Sequence, residues 1–285
     1  MNRRDFLYRA AALSALPLTT SACTPAVAAP RFKIGACDWS IGKLADVGAL
    51  ELAREIGLDG VQVSLGTVAD DMHLRQPNVQ QAYLDAAATH GVEIGGIAIG
   101  ALNQVPYKSD SRAEQWVGDS IDVAKAMGVN IVLLAFFSDG DVKGDDAGQE
   151  VVIQRLRDVA PAAEAAGITL GLETWLSADE HRHIIDAVGS PNIQVYYDVA
   201  NSNHMGYDIY AEIRDLGDLI CEVHLKENGF LLGEGRVDFP AVKAALDDIG
   251  YGGWMQIEGA VPNGAEILPS YQHNNRYVRS VFHAT

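Results

Sequence analysis

Cysteine is scarce, three in 285 residues, too few for a disulfide framework. Basic residues are few as well. The 21 Lys and Arg stand against 38 Asp and Glu, a formal charge of −17. That balance lacks the basic footprint nucleic-acid binding needs, so no nucleic-acid partner is expected. No apolar run approaches the about 20 residues of a transmembrane helix. Gly (28) and Pro (10) are not enriched, which excludes collagen-like and low-complexity chains. What remains is 48% hydrophobic and 21% charged, the balance of a soluble globular protein, at a length one α/β barrel domain can fill.

The first residues read as an address. Arg3-Arg4 followed by Asp5-Phe6-Leu7 resembles a twin-arginine export signal. A short, small-residue stretch from Ala10 to Ala22 follows, and Ala26-Val27-Ala28 fits a cleavage site. The expected division is a signal peptide over 1–28 and a folded domain over 29–285. The expected partner is the twin-arginine export machinery, and the location periplasmic or otherwise exported. Ser21-Ala22-Cys23 also resembles the end of a lipoprotein box, so a lipid anchor at Cys23 stays open. Beyond the signal only Cys37 and Cys221 remain, in strand-like segments far apart, and a disulfide between them is not favoured.

The rest of the chain repeats one theme: a helical period, then a Gly or Asn, then a short β-rich run. Such runs occur at 57–64, 91–99, 128–136, 167–174, 192–198, 219–225 and 253–258, after an opening run at 32–38. Helical spacing lies between them, as in Ala49-Leu50-Ala53-Ile56 and Val151-Leu156-Val159-Ala163. Ser177-x-x-Glu180 has the form of a capping box, predicting a helix from there to about Val188. Eight strands separated by helices predict βαβ units and a parallel sheet. The fold class is therefore α/β, a single (β/α)8 TIM barrel, with a doubly wound open sheet as the competitor.

The strand ends decide between the two. Four successive late runs carry Glu173, Asp198, His224 and Glu258 at the same place in each unit. In a barrel all C-terminal strand ends converge on one face, and the four would form one metal site. In an open sheet they would lie in a row. Taken singly, each has a plainer reading: a solvated loop acid, a half-buried imidazole, or, for Asp198, the cap of a following helix. Three carboxylates and one imidazole suit one divalent metal ion: Mn2+ for choice, with Mg2+, Co2+ or Zn2+ compatible.

Around these positions the chain resembles a known family. Leu172-Glu173-Thr174, Tyr197-Asp198-Val199-Ala200-Asn201, Val223-His224-Leu225-Lys226-Glu227 and Gln256-Ile257-Glu258 are similar to the strand ends of xylose isomerase-like TIM barrels. That superfamily includes sugar isomerases and epimerases, inosose dehydratases and endonuclease IV-type nucleases. The stretch from Gly233 to Phe239, with Gly250-Tyr251-Gly252-Gly253, resembles the epimerase branch. The likeness covers about 32–282. It implies a metal-dependent sugar isomerase or epimerase with a small carbohydrate substrate. Glu173, Asp198, His224 and Glu258 would bind the metal, and Glu173 and Glu258 would act as acid and base on opposite faces of the sugar. Proton abstraction α to a carbonyl would pass through a metal-stabilised enediolate. An exported enzyme would meet an unphosphorylated sugar. One departure stands out: where that branch commonly carries Glu on the second strand, this chain has Gln62, which can hydrogen-bond but cannot act as a base. A lyase that cleaves 3-keto-glycosides or dehydrates a sugar would share the first proton transfer. A carbohydrate-binding barrel without catalysis is the rival from another class.

Five further residues are candidates for substrate contact: Trp39 after the first strand, Asn201 and His204 after Asp198, Lys226 on the face of His224, and Arg236 in the Gly-rich loop. His73, His181 and His183 are expected at the surface. Asp139, Asp141, Asp145 and Asp146 lack EF-hand spacing and are expected in a solvated loop. A homo-oligomer is compatible with the sequence.

Overall fold

A computed structural model describes residues 31–283. The signal-peptide reading of 1–28 and Cys23 lie outside the described residues. Eight parallel strands close into a barrel in sequence order. They are β1 (Lys33–Cys37), β2 (Gly60–Ser64), β3 (Glu93–Ile99), β4 (Ile131–Ala135), β5 (Thr169–Glu173), β6 (Ile193–Asp198), β7 (Ile220–Lys226) and β8 (Trp254–Glu258). β8 pairs back onto β1 through Lys33–Trp254 to Ala36–Ile257, and this closure rules out the open sheet. All eight expected strands are present. The helices are α1 (Ala49–Ile56), α2 (Pro77–His90), α3 (Ser111–Met127), α4 (Asp146–Ala166), α5 (Ala178–Val188), α6 (Val199–His204), α7 (Ile209–Leu216), α8 (Phe239–Asp248) and α9 (Ile267–Phe282).

Each helix buries one stripe against the barrel. In α1 the buried residues are Ala49, Leu50, Ala53 and Ile56, the spacing of an amphipathic helix. Helix ends follow the chemistry of the sequence. Gly57 closes α1 at φ 89° and Gly167 closes α4 at φ 67°, backbone angles that a Cβ disfavours. α5 begins with the expected capping box, in which Ser177 and Glu180 each bond the other's backbone N–H. One expectation needs correction here: Asp146 opens α4, and Asp145 caps it while pairing with Lys108 at 2.9 Å. That acidic stretch is therefore partly a helix start. Among the described residues no helix is long and apolar enough to cross a membrane.

The barrel interior is polar at its centre. Inward positions on β7 alternate as Glu222, His224 and Lys226, so these side chains stack from the middle of the barrel to its C-terminal mouth. Gln256 of β8 fits beside Glu222 only because β1 and β3 offer glycine there: a Cβ on Gly35 would strike its Oε1, and one on Gly95 would lie 2.7 Å from its Nε2. Register shifts at Val61/Gln62 and at Val195/Tyr196 interrupt the ladders beneath the mouth. Such irregularities re-aim side chains, here Gln62 on β2 and Tyr196 on β6.

Candidate active site

At the C-terminal mouth the ends of β5, β6, β7 and β8 bring Glu173, Asp198, His224 and Glu258 together. One ligand atom from each lies within 4.8 Å of the others. Register produces this meeting: Asp198 pairs with His224 across β6 and β7, and Lys226 pairs with Glu258 across β7 and β8. His224 Nδ1 stands 3.1 Å from Glu173 Oε1, 3.5 Å from Glu258 Oε2 and 3.9 Å from Asp198 Oδ2. His224 is fully buried, and Glu173 and Asp198 are nearly so.

Asp198 has two jobs. Its Oδ1 caps α6, accepting from the backbone N–H of Ala200 and Asn201 at 2.8 Å each. Its Oδ2 faces the cluster, buried and with no hydrogen-bond partner. Burial pushes Asp198 up to about 7 against the pull of Lys226, with Glu258 and Glu173 adding to the rise. Burial also opposes charge on Glu258, but His224 and Lys226, with hydrogen bonds from Lys226 and Trp39, bring it down to about 2.

A buried chain of hydrogen bonds sets the tautomer of His224. Glu222 Oε1 accepts from Gln256 Nε2 at 2.7 Å and from the Tyr196 hydroxyl at 3.0 Å. The Tyr196 oxygen in turn accepts from Gln62 Nε2 at 3.0 Å. That leaves Gln62 Oε1 facing His224 Nε2 at 3.0 Å. An amide oxygen only accepts, so Nε2 carries a proton and Nδ1 is the nitrogen that faces the carboxylates. Burial would lower the pKa of His224, yet the anionic groups around it raise it well above its ordinary value. Nδ1 therefore stands among three carboxylates with a proton that a metal ion would displace, beside an Asp198 Oδ2 that makes no hydrogen bond. The donor set fits one divalent ion. Cys37 lies just beneath, its Sγ 3.3 Å from Gln62 Oε1 and from His224 Nε2. Burial pushes its thiol up to about 12, so it sits there as a neutral thiol. It and Cys221 are free.

The cluster opens into a cavity of about 420 Å³. Trp39, Asn201 and Lys226 line it, as expected. The Trp39 indole N–H donates to Glu258 Oε1 at 2.9 Å, Asn201 Nδ2 donates to Glu173 Oε1 at 3.4 Å, and Lys226 Nζ donates to Glu258 Oε2 at 2.7 Å. Two of the substrate-contact candidates lie outside the cavity lining, and the surface expectation for His181 is overturned. Arg236 is exposed and does not line the cavity; its backbone N–H bonds Glu227 Oε1 at 2.7 Å, so the loop is organised by a buried carboxylate. His204 is exposed, and its ring packs 5.9 Å from that of Trp175, which itself lines the cavity. His181 is buried, on the inner face of α5 with Ala178, Ile184 and Ile185. His73 is half-buried beside Asp70, while His183 is exposed as expected. Trp175 and Phe137 are cavity residues that the sequence reading missed. Both lie two residues past a strand end, the position that singled out Trp39.

A closed parallel barrel with a carboxylate and imidazole cluster at its C-terminal mouth is the architecture of a (β/α)8 enzyme. Residues 50–280 match the family model described as xylose isomerase-like TIM barrel, and the chain belongs to that family. It is 25% identical over 199 residues to 2-epi-5-epi-valiolone 7-phosphate 2-epimerase of Actinoplanes sp., spanning 68% of this chain and 72% of that one. It is 34% identical over 113 residues to L-ribulose 3-epimerase of Mesorhizobium japonicum, or 36% of this chain and 38% of that one. The structure of D-psicose 3-epimerase with D-tagatose from Clostridium cellulolyticum H10 superposes with a TM-score of 0.73 at 19% identity, covering 88% of this chain and 99% of that one.

Proposed function

We propose that this chain is a divalent-metal-dependent epimerase or isomerase of an unphosphorylated sugar. The observation that carries the reading is the meeting of Glu173, Asp198, His224 and Glu258 at one buried point beside a cavity, with Asp198 Oδ2 free of hydrogen bonds. A divalent cation held by these four would supply a Lewis acid that polarises a sugar carbonyl. Glu173 and Glu258 come from strands on either side of β6 and β7 and both line the cavity. One of the two, ionised, would take the proton next to the carbonyl, and the other, protonated, would deliver its own proton to the opposite face, which inverts the carbon and leaves the two protonation states exchanged. Asn201 orients Glu173; Trp39 and Lys226 orient Glu258.

The absence of phosphate from the substrate rests on charge. Lys226 is the one cationic side chain lining the cavity among the described residues, and Glu258 and Asp198 already hold it. A phosphate dianion would find no free counter-charge there. Relatives of both kinds exist, one acting on a 7-phosphate and one on L-ribulose, so the choice is made by the residues of this pocket. The reading includes export by the Arg3-Arg4 signal; changing both to Lys is expected to leave the protein in the cytoplasmic fraction, and unchanged export would remove that part.

The test is deuterium uptake from D2O into unphosphorylated ketoses, read together with metal content. We expect about one divalent ion per chain, and uptake lowered by about 10²–10⁴-fold in Glu173→Gln and in Glu258→Gln. Uptake unchanged in both variants, or no ion bound after reconstitution with Mn2+, Co2+ or Zn2+, would overturn the assignment.

A further inference from the structure

The cavity has two chemically different halves. The acid and imidazole cluster with its Lys226 comes from β5 to β8, and the facing wall comes from the ends of β1 to β4. That wall is apolar: Leu44, Val68, Ala101, Leu133 and Phe137, with Trp175 beside them. Of its polar side chains, Ser64 and Thr67 are engaged within the protein and Asn103 through its oxygen, which leaves the Asn103 amide nitrogen and the exposed Gln104 amide as the free polar groups. Ser64 Oγ donates to Asp38 at 2.7 Å, Thr67 Oγ1 donates to Asp70 at 2.8 Å, and Asn103 Oδ1 accepts from the Phe137 N–H at 2.9 Å. A second sugar ring would leave many of its hydroxyls without partners there, whereas an apolar group asks for none.

The rim points the same way. Five large hydrophobic residues are exposed among the described residues, and four of them, Leu44, Val47, Val68 and Phe230, lie on loops at the catalytic end. Leu44 is 52% exposed and Val68 40%, and both line the cavity itself. The loop backbone next to Leu44 and Val68 is tied down by buried or half-buried carboxylates. Asp38 accepts from Ala45 N, and Asp70 accepts from Thr67 N. The loops also carry backbone strain. Ala45, Asp71, Met72 and Ser138 take positive φ, at 54°, 53°, 55° and 51°; Ala45 and Ser138 directly follow Leu44 and Phe137, and Asp71 and Met72 lie three and four residues past Val68. Strain of this kind gathers where a fold holds a ligand.

We propose that the β1 to β4 half of the cavity seats an apolar substituent of aromatic size on the sugar, so that the substrate is a glycoside with an apolar aglycone. This rests on the sugar-epimerase reading above. Because a glycoside cannot open its ring, the carbonyl that the chemistry requires lies within the ring itself.

The experiment uses the Mn2+-loaded full chain with phenyl and methyl 3-keto-β-D-glucopyranoside, and D-fructose as the free ketose. Deuterium uptake gives kcat/KM. Quenching of tryptophan fluorescence gives the affinity for the unreactive phenyl and methyl β-D-glucopyranosides. The expected result is a preference of at least about tenfold for phenyl over methyl in both readouts, about 1.4 kcal/mol. The preference should fall towards one in the Leu44→Ser/Val68→Ser double variant. The wild-type comparison stands by itself should that variant fail to fold. Uptake with no phenyl preference would overturn this inference and leave the epimerase reading intact. A phenyl preference in binding without uptake from any of the three ketones would overturn the epimerase reading, and with it the glycoside as substrate. A double variant that keeps the preference but changes self-association on gel filtration would assign the rim to a second copy of the chain and overturn the inference.

Discussion

Between His224 and Tyr196 the barrel needs one group that accepts on one side and donates on the other. Gln62 meets both demands, with Oε1 at His224 Nε2 and Nε2 at the Tyr196 oxygen. An ionised glutamate, common at this place in the epimerase branch the sequence resembles, only accepts. In this chain the carboxylate lies one step further on, at Glu222, and its Oε1 fixes the direction of every bond back to the imidazole. Gln62→Leu removes the acceptor for the Nε2 proton. We expect metal affinity to fall by about 10–100-fold, read by competition with a fluorescent chelator. Unchanged affinity would show that the tautomer is set by something else. At this scale the sequence was partly legible. It marked Gln62 as a hydrogen-bonding residue without a proton-transfer role, but it could not supply the partners, which come from β6 and β7.

At the scale of the element, the eight strands were legible because period and punctuation are local properties. The histidines of α5 show where that reading stopped. His181 falls three residues after Ala178 and three before Ile184, on the buried face, and the spacing could have placed it there. Its Nδ1 lies 3.0 Å from the Ser177 carbonyl oxygen and must donate to it, so Nε2 accepts the Thr174 hydroxyl at 3.1 Å. A protonated ring would donate to the Thr174 oxygen from Nε2 instead, so it is burial that keeps the ring neutral. Burial lowers its pKa to about 4 from an ordinary 6.5. The sign follows from linkage: both states are neutral above pH 6.5, and below it the unfolded state binds the proton first. Its stabilising contribution is therefore whole above about pH 6.5 and is lost as pH falls from there to about 4, on the order of 3 kcal/mol at most. Urea unfolding at pH 7 and pH 4.5 should show wild type losing more stability than His181→Gln. Equal losses would refute the assignment. Thr174 follows Glu173 directly, and its hydroxyl oxygen also accepts from the Leu176 N–H.

For the whole molecule, an ion held by Glu173, Asp198, His224 and Glu258 would tie the last half of the barrel to one point, and its binding would be folding energy. At a free ion concentration of about 100 times Kd the native state gains about 2.7 kcal/mol, worth roughly 5–10 °C in Tm at this size. Chelator-treated protein should regain that shift on adding Mn2+. No shift with Mn2+, Co2+ or Zn2+ would leave the cluster without its ion. The rhythm of the chain and the identity of its strand ends determined the barrel and the quartet Glu173, Asp198, His224 and Glu258, because both depend on residues near one another in sequence and on a topology that makes equivalent positions converge. Lys226 followed from the two-residue period of β7 and Trp39 from its place just past β1, and both line the cavity. Arg236 and His204 were drawn by chemistry to a mouth they do not line, because a loop's direction depends on what it packs against; here the buried Glu227 carboxylate holds the backbone of the Gly-rich loop at Arg236 and Val237. The division of the cavity into an ionic half and an apolar half and the setting of Asp198 Oδ2 among His224, Lys226 and two further carboxylates were decided by the tertiary structure alone. Each is a property of groups far apart in the chain that meet only when β8 closes on β1 and water is excluded from between them.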